Sequence, residues 1–238
     1  MRRQLALISV FLFVACTQTP SATATTPPPV PTVAPTVAAT PAATSTLPAL
    51  GQGQTLIPTI PAAVAVEVPV KGAALLVLDI TNTVCDPRPS CVTSIPKIAN
   101  LLKKARDAKV PIIYSTTTTA GTLVRPEIAP QSGDVTVAGR ADKFFGTTLD
   151  KILQDKAVEN AVVVGSAANG AVLYTTFGLN LRGITVVVAQ DGISAEPEFP
   201  ITLTRWQLLN EPGFTNADNK PLAKGFVTLS TTDLITFK

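Results

Sequence analysis

From about residue 70 the chain alternates between unbroken apolar runs and stretches with helical periodicity. Ala73 to Ile80 is apolar at nearly every position, the pattern of a strand buried on both faces. Next come Ile95, Ile98, Leu101, Leu102 and Ala105 on one helical face, with Lys97, Lys103, Lys104 and Arg106 facing water. Val110 to Tyr114 predicts a second strand and Asp134 to Ala138 a weaker third. Thr148 can cap a helix with the apolar side Leu149, Ile152 and Leu153. A strand at Ala161 to Gly165, an apolar helix from about Gly170 to Leu181, a strand at Ile184 to Ala189, a helix around Leu203 to Leu209 and a strand at Phe226 to Leu229 complete the series. Doubly buried strands separated by helices predict an α/β fold of three layers, α/β/α, around an open, mainly parallel, Rossmann-like sheet. Such a sheet places its site at the carboxyl ends of the strands, near the switch point.

The amino-terminal third reads differently. Arg2-Arg3, the apolar run Leu5 to Ala15 and then Cys16 form an export signal, because eleven apolar residues rise only about 16 Å as a helix, roughly half of a bilayer core. Leu12-Phe13-Val14-Ala15-Cys16 resembles a bacterial lipobox, which implies cleavage before Cys16, lipid on its thiol and an extracytoplasmic domain anchored to the cell membrane. A plain secretory signal with an incidental Cys is the alternative. Residues 17–66 are rich in Thr, Pro and Ala, with Pro27-Pro28-Pro29 and a repeated Pro-Thr-Val, and carry no charge. A segment of that kind cannot offset the entropy of ordering and is expected to be a disordered tether, with a polyproline reach on the order of 150 Å. The predicted organisation is thus signal 1–16, linker 17–66 and domain 67–238.

Composition narrows the chemistry. The 238 residues include no His and 3 Cys. Without His there is no Ser-His-Asp or Cys-His catalysis and no imidazole acid-base group, and three thiols fall short of the usual four zinc ligands, so neither metal nor cofactor is expected. The formal charge of +3 includes Arg2 and Arg3; from Glu67 onward 17 basic residues face 16 acidic ones. No basic stripe with aromatic platforms remains to bind nucleic acid.

Two places can carry chemistry. Asp79 ends the first apolar strand, where a carboxylate serves either as a cap for the next loop or as an acid-base group with a raised pKa. Val164-Gly165-Ser166-Ala167-Ala168-Asn169-Gly170-Ala171 joins a buried strand to a buried helix, whose first amides can hold an anion or oxyanion. With Ala73 to Asn82, Phe144-Phe145-Gly146-Thr147-Thr148-Leu149, Val162 to Thr175 and Val186 to Ser194, the chain resembles the isochorismatase-like family of nicotinamidases and other cysteine hydrolases. That resemblance implies a six-stranded sheet, frequent homo-oligomers and an Asp-Lys-Cys triad.

Carried over residue by residue, Asp79 matches the triad Asp, the Cys falls on Ala171 and the Lys on Ala138. Arg140 and Lys143 are near enough to supply a cation, although Arg cannot deliver a proton as Lys can. Ser166, Asn169 and Phe144 are the candidate substrate-binding residues. Two functions stay open. One is a degenerate module that binds an unidentified small molecule or surface protein. The other is an active hydrolase of vinyl-ether or amide type using Asp79 with Arg140 or Lys143; Ser166 as a substitute nucleophile lacks a base other than Asp79. Cys85 and Cys91, left over outside the cytoplasm, are expected to pair and to stiffen the Pro-rich loop after Asp79. Thr116 to Thr119 either line the same cleft or form an exposed polar loop.

Overall fold

The expected first core strand is β2 (Ala73–Leu78), buried at all six positions. It is two residues shorter than the apolar run, because Asp79 turns into the left-handed region at φ 54° and breaks the strand. The computed structural model describes residues 58–238; the signal, Cys16 and the linker up to residue 57 lie outside the described residues. The remaining elements, in chain order, are β1 (Val66–Val68), α1 (Asn82–Cys85), α2 (Pro89–Asp107), β3 (Ile112–Thr116), β4 (Val135–Ala138), α3 (Leu149–Asp155), β5 (Asn160–Ser166), α4 (Leu173–Asn180), β6 (Thr185–Ser194), α5 (Phe199–Leu209), β7 (Val227–Ser230) and β8 (Ile235–Phe237).

Six strands form one sheet in the order β4-β3-β2-β5-β6-β7, and every neighbouring pair is parallel. The chain builds outward from β2 through β3 to β4, then crosses to β5 and builds the other way. The switch point is therefore the gap between the carboxyl ends of β2 and β5. On one face lies α2, whose Ile95, Ile98, Leu101, Leu102 and Ala105 are buried as the periodicity requires. The opposite face carries α3, α4 and α5, through Leu149 and Leu153, Leu179, and Leu208 and Leu209. This is the three-layer α/β/α arrangement.

Several details depart from the sequence reading. The helix expected from Gly170 begins with a wide, π-wound turn over Ala168–Val172, and Gly170 itself is non-helical. Thr148 makes no side-chain cap for α3; the Leu149 amide donates instead to Thr147 Oγ1 at 3.1 Å. Pairing of β1 with β8, both three residues long, adds a second, parallel sheet that the sequence did not announce. The linker boundary also moves. Ile60 packs against the core, Asn219 Nδ2 donates to the Ala62 carbonyl at 2.9 Å and Ser230 Oγ to the Val64 carbonyl at 2.7 Å, so the last residues assigned to a disordered 17–66 belong to the fold.

Candidate functional site

Strand register assembles the site. Leu78 lies opposite Ser115 of β3 and Gly165 of β5. A Cβ on Gly165 would stand 2.5 Å from the Leu78 carbonyl oxygen, so the absence of a side chain there is what lets the two strands close up at the switch point. Asp79 follows immediately and is 5% exposed. Its Oδ1 accepts from Ser115 Oγ at 2.7 Å, and its Oδ2 lies 2.7 Å from Nζ of Lys143, which is wholly buried.

The loop between β4 and α3 delivers that ammonium. Its backbone is fixed where the Lys143 amide donates to Thr175 Oγ1 at 3.4 Å and Thr147 Oγ1 donates to the Lys143 carbonyl. Besides the carboxylate, Nζ reaches the carbonyls of Gly139 at 3.1 Å and Thr116 at 3.4 Å. All three ammonium hydrogens thus have acceptors, the condition under which a buried cation is tolerated. Burial pushes the Asp79 carboxyl above its ordinary range, opposed by the charge of Lys143 and by hydrogen bonds from Lys143 and Ser115. A carboxyl in that setting can exchange a proton with a neighbouring group.

The other sequence candidates are dispersed. Arg140 is exposed and, among the described residues, forms no ion pair with Asp79. Ala138, to which the family lysine was assigned, is an exposed residue at the end of β4 opposite Thr116; the lysine that reaches Asp79 is Lys143, five residues later. Ala171 sits in the wide turn, 3% exposed. Asn169 is exposed, whereas Ser166 is buried with its Oγ 3.4 Å from the Ser194 carbonyl. The Ser166–Ala167 peptide is cis. Phe144 packs beneath the Arg182 guanidinium, 3.7 Å from ring centroid to Cζ, and against Gly178, where a Cβ would lie 2.6 Å from the ring. It anchors the Lys143 loop to α4. Cys85 and Cys91 are joined by a disulfide, and both are wholly buried where α1 meets the first turn of α2.

Two contributors escaped the sequence reading. Ser115 is a small polar residue ending an apolar strand, and only the register places it beside Asp79. Asn82 clasps the loop after β3: its Nδ2 donates to the Gly121 carbonyl at 3.1 Å and its Oδ1 accepts from the amides of Thr83 and Leu123 at 2.8 and 2.9 Å. Thr117, of the Thr run, shares a hydroxyl contact with Thr122 at 3.1 Å, and Thr122 another with Thr83 at 3.0 Å, so this part of the run ties the loop down. Among the described residues no three His, Cys, Asp or Glu side chains converge as a metal-holding group.

The model of the isochorismatase domain matches residues 73–200, more than half of the chain. Solved structures share the fold. A cysteine hydrolase from Pseudomonas syringae pv. phaseolicola 1448A is 21% identical, with 72% of this chain and 94% of that one covered at a TM-score of 0.60. The N-carbamoylsarcosine amidase from Thermoplasma acidophilum is 20% identical over 68% and 96% at 0.56, and the nicotinamidase from Staphylococcus aureus 19% over 61% and 98% at 0.56. No curated protein sequence matches significantly. With its first core strand, switch point and buried Asp79 inside the matched segment, the chain belongs to the isochorismatase family.

Proposed function

We propose that this domain is a family member without thiol catalysis, working as a small-molecule binding module at the switch point. The observation that carries this reading is the methyl group of Ala171 at the turn where the family resemblance calls for the nucleophilic Cys. A methyl group cannot attack a carbonyl, so no acyl-enzyme forms and amide hydrolysis by that route is closed. Ser166, the substitute hydroxyl of that turn, does not replace it, since it is buried against the Ser194 carbonyl. Export and lipidation at Cys16 belong to the same proposal. They rest on the leader sequence and on a buried disulfide suited to an oxidising compartment.

The test is a panel of amides, including nicotinamide and an N-carbamoyl amino acid, after the amide-cleaving activities named for two of the structural relatives. Wild-type protein leaves them intact but is stabilised thermally by the compounds it binds, and Asp79→Ala loses that stabilisation. Ala171→Cys gains slow turnover with a covalent adduct visible by mass spectrometry. Wild-type turnover at an ordinary enzymatic rate, abolished by Asp79→Ala, would overturn the proposal.

A second reading is favoured by the 2.7 Å Asp79–Lys143 pair itself. Hydrolysis of a vinyl ether begins with protonation of carbon and needs no nucleophilic side chain, so a carboxyl of raised pKa beside an ammonium is adequate machinery. Cleavage of an isochorismate-type vinyl ether that is lost in Asp79→Asn and in Lys143→Met, yet kept in Arg140→Ala, would establish it. Absence of cleavage in the wild type would remove it.

A further inference from the structure

The segment that follows β3 is held by hydrogen bonds and hardly at all by packing. Thr117 to Val124 contains no charged and no buried residue; Leu123, its largest apolar side chain, is 69% exposed, and only Val124 packs against a hydrophobic core. Among the described residues, every hydrogen bond from this strap to another segment ends on Asn82 or Thr83. Asn82 carries most of them. Its backbone amide donates to the Leu123 carbonyl at 2.9 Å, while its side chain donates to the Gly121 carbonyl and accepts from the Leu123 amide. Backbone with exposed hydrogen bonds and few apolar contacts opens locally at low free energy, so one side-chain amide sets how often the strap lifts.

Both ends of the strap lie at the buried ion pair. It leaves β3 after Thr116, whose carbonyl accepts from Lys143 Nζ, and it returns in an antiparallel bridge from Val124 to Thr81, two residues past Asp79. The next residue, Arg125, pairs with Asp86 just beyond α1. Asn82 is itself steadied from behind. α1 is a single turn, too short to be helical alone, and its last residue, Cys85, is bonded to Cys91 in the first turn of the 19-residue α2. A core helix thus carries the Asn82 turn through a covalent link.

We propose that Thr117–Val124 is the closure of the switch-point site, latched by Asn82 and pinned through the Cys85–Cys91 disulfide. Access to Asp79 and Lys143 then depends on release of the Asn82 side chain from Gly121 and Leu123. The purpose of such a closure rests on the reading of the switch point as a binding site, but the closure itself is measured without any ligand.

The test uses the unlipidated full chain carrying Cys16→Ser and two readouts. Hydrogen exchange with mass spectrometry follows the amides of 117–124. Brief acylation with a small anhydride, mapped by peptide mass, follows the Lys143 amine against the exposed Lys103. With Asn82 intact the strap is protected and Lys143 reacts far more slowly than Lys103. Asn82→Ala raises strap exchange and Lys143 acylation together, each on the order of tenfold. Asn82→Asp, which keeps the acceptor for the Leu123 amide, raises them less, and Cys85→Ala/Cys91→Ala raises them with Asn82 still present. Should Asn82→Ala fail to fold by circular dichroism, Thr122→Val, which removes only the hydroxyl contacts to Thr83 and Thr117, makes the same comparison. Three results overturn the proposal: a strap that exchanges like a free peptide with Asn82 intact, exchange unchanged in the variants, or a freed strap with Lys143 as unreactive as before. Turnover in the amide panel would sink the binding-module reading and move neither readout, so the two failures are told apart.

Discussion

Replacing Lys143 by Met isolates the chemistry of the buried pair, since it keeps the length of the side chain and deletes the charge. At 2.7 Å and an effective dielectric of about 20, the lost attraction is roughly 6 kcal/mol before desolvation is credited. Removing one partner of a buried pair typically costs about 3–5 kcal/mol. A limit is set by protonation, because the stranded carboxyl can escape by taking up a proton. From the ordinary value of 3.8 that escape costs about 4 kcal/mol at pH 7 and about 2 kcal/mol at pH 5.

The sign follows from the direction of the shift. The folded Asp79 holds its proton more tightly than the unfolded one, so its contribution to stability is fully present below 3.8 and is lost as pH rises through the folded value. Removing Lys143 raises that folded value further and widens the window. Urea unfolding of wild type, Lys143→Met and Lys143→Met/Asp79→Asn at pH 5 and pH 7 is the assay. The single variant should lose stability up to a ceiling of about 4 kcal/mol at pH 7 and about half that at pH 5, and the double variant should recover most of the loss. A loss below about 1 kcal/mol at pH 7, or one indifferent to pH, would refute the account of a desolvated, lysine-held carboxylate.

Other consequences are as direct. Reducing Cys85–Cys91, or replacing both by Ala, reopens a loop with a sequence separation of 6 and should cost about 2 kcal/mol in denaturant unfolding. Gly165→Ala drives a methyl into the Leu78 carbonyl and should destabilise by about 1–3 kcal/mol or more, with the Asp79–Lys143 geometry disturbed in a crystal structure of the variant. Tyr114 is buried beside Arg106 and Asp134, and its phenol is pushed up to about 12, chiefly by burial. Spectrophotometric titration should therefore show one tyrosine ionising near that value, absent in Tyr114→Phe, with its share of stability lost as pH rises from 10 toward 12.

The parts of the fold that were legible in the sequence are those with a periodic signal. β2 and β5 read as strands because both of their faces are covered, and α2 read as a helix because only one of its faces is. Three-residue strands such as β1 and β8 carry no period, and each pairs with a segment about 170 residues away. Ile60 to Val64 continued the Pro- and Ala-rich composition of the linker, so composition concealed that they pack. In the site, Asp79 was readable because a carboxylate closes an apolar run. The cation was readable only as a choice between Arg140 and Lys143, because a loop broken by Gly139 and Gly146 does not convert sequence spacing into distance; counting back from Phe144 arrived at Ala138, while the chain folds Lys143 inward. Ser115 depended on register alone.

The pairing of β1 with β8 also orders events in time. Val66 and Val68 are among the first residues of the domain to be made, yet their strand partners come about 170 residues later. Until β8 is released, two valines of the core lack their strand partner. The central sheet can assemble beforehand, so this pairing follows it and waits on β8. A translation product that stops before Ile235 would keep all six strands of the central sheet and lose this clasp, leaving Val66 and Val68 without their strand partner.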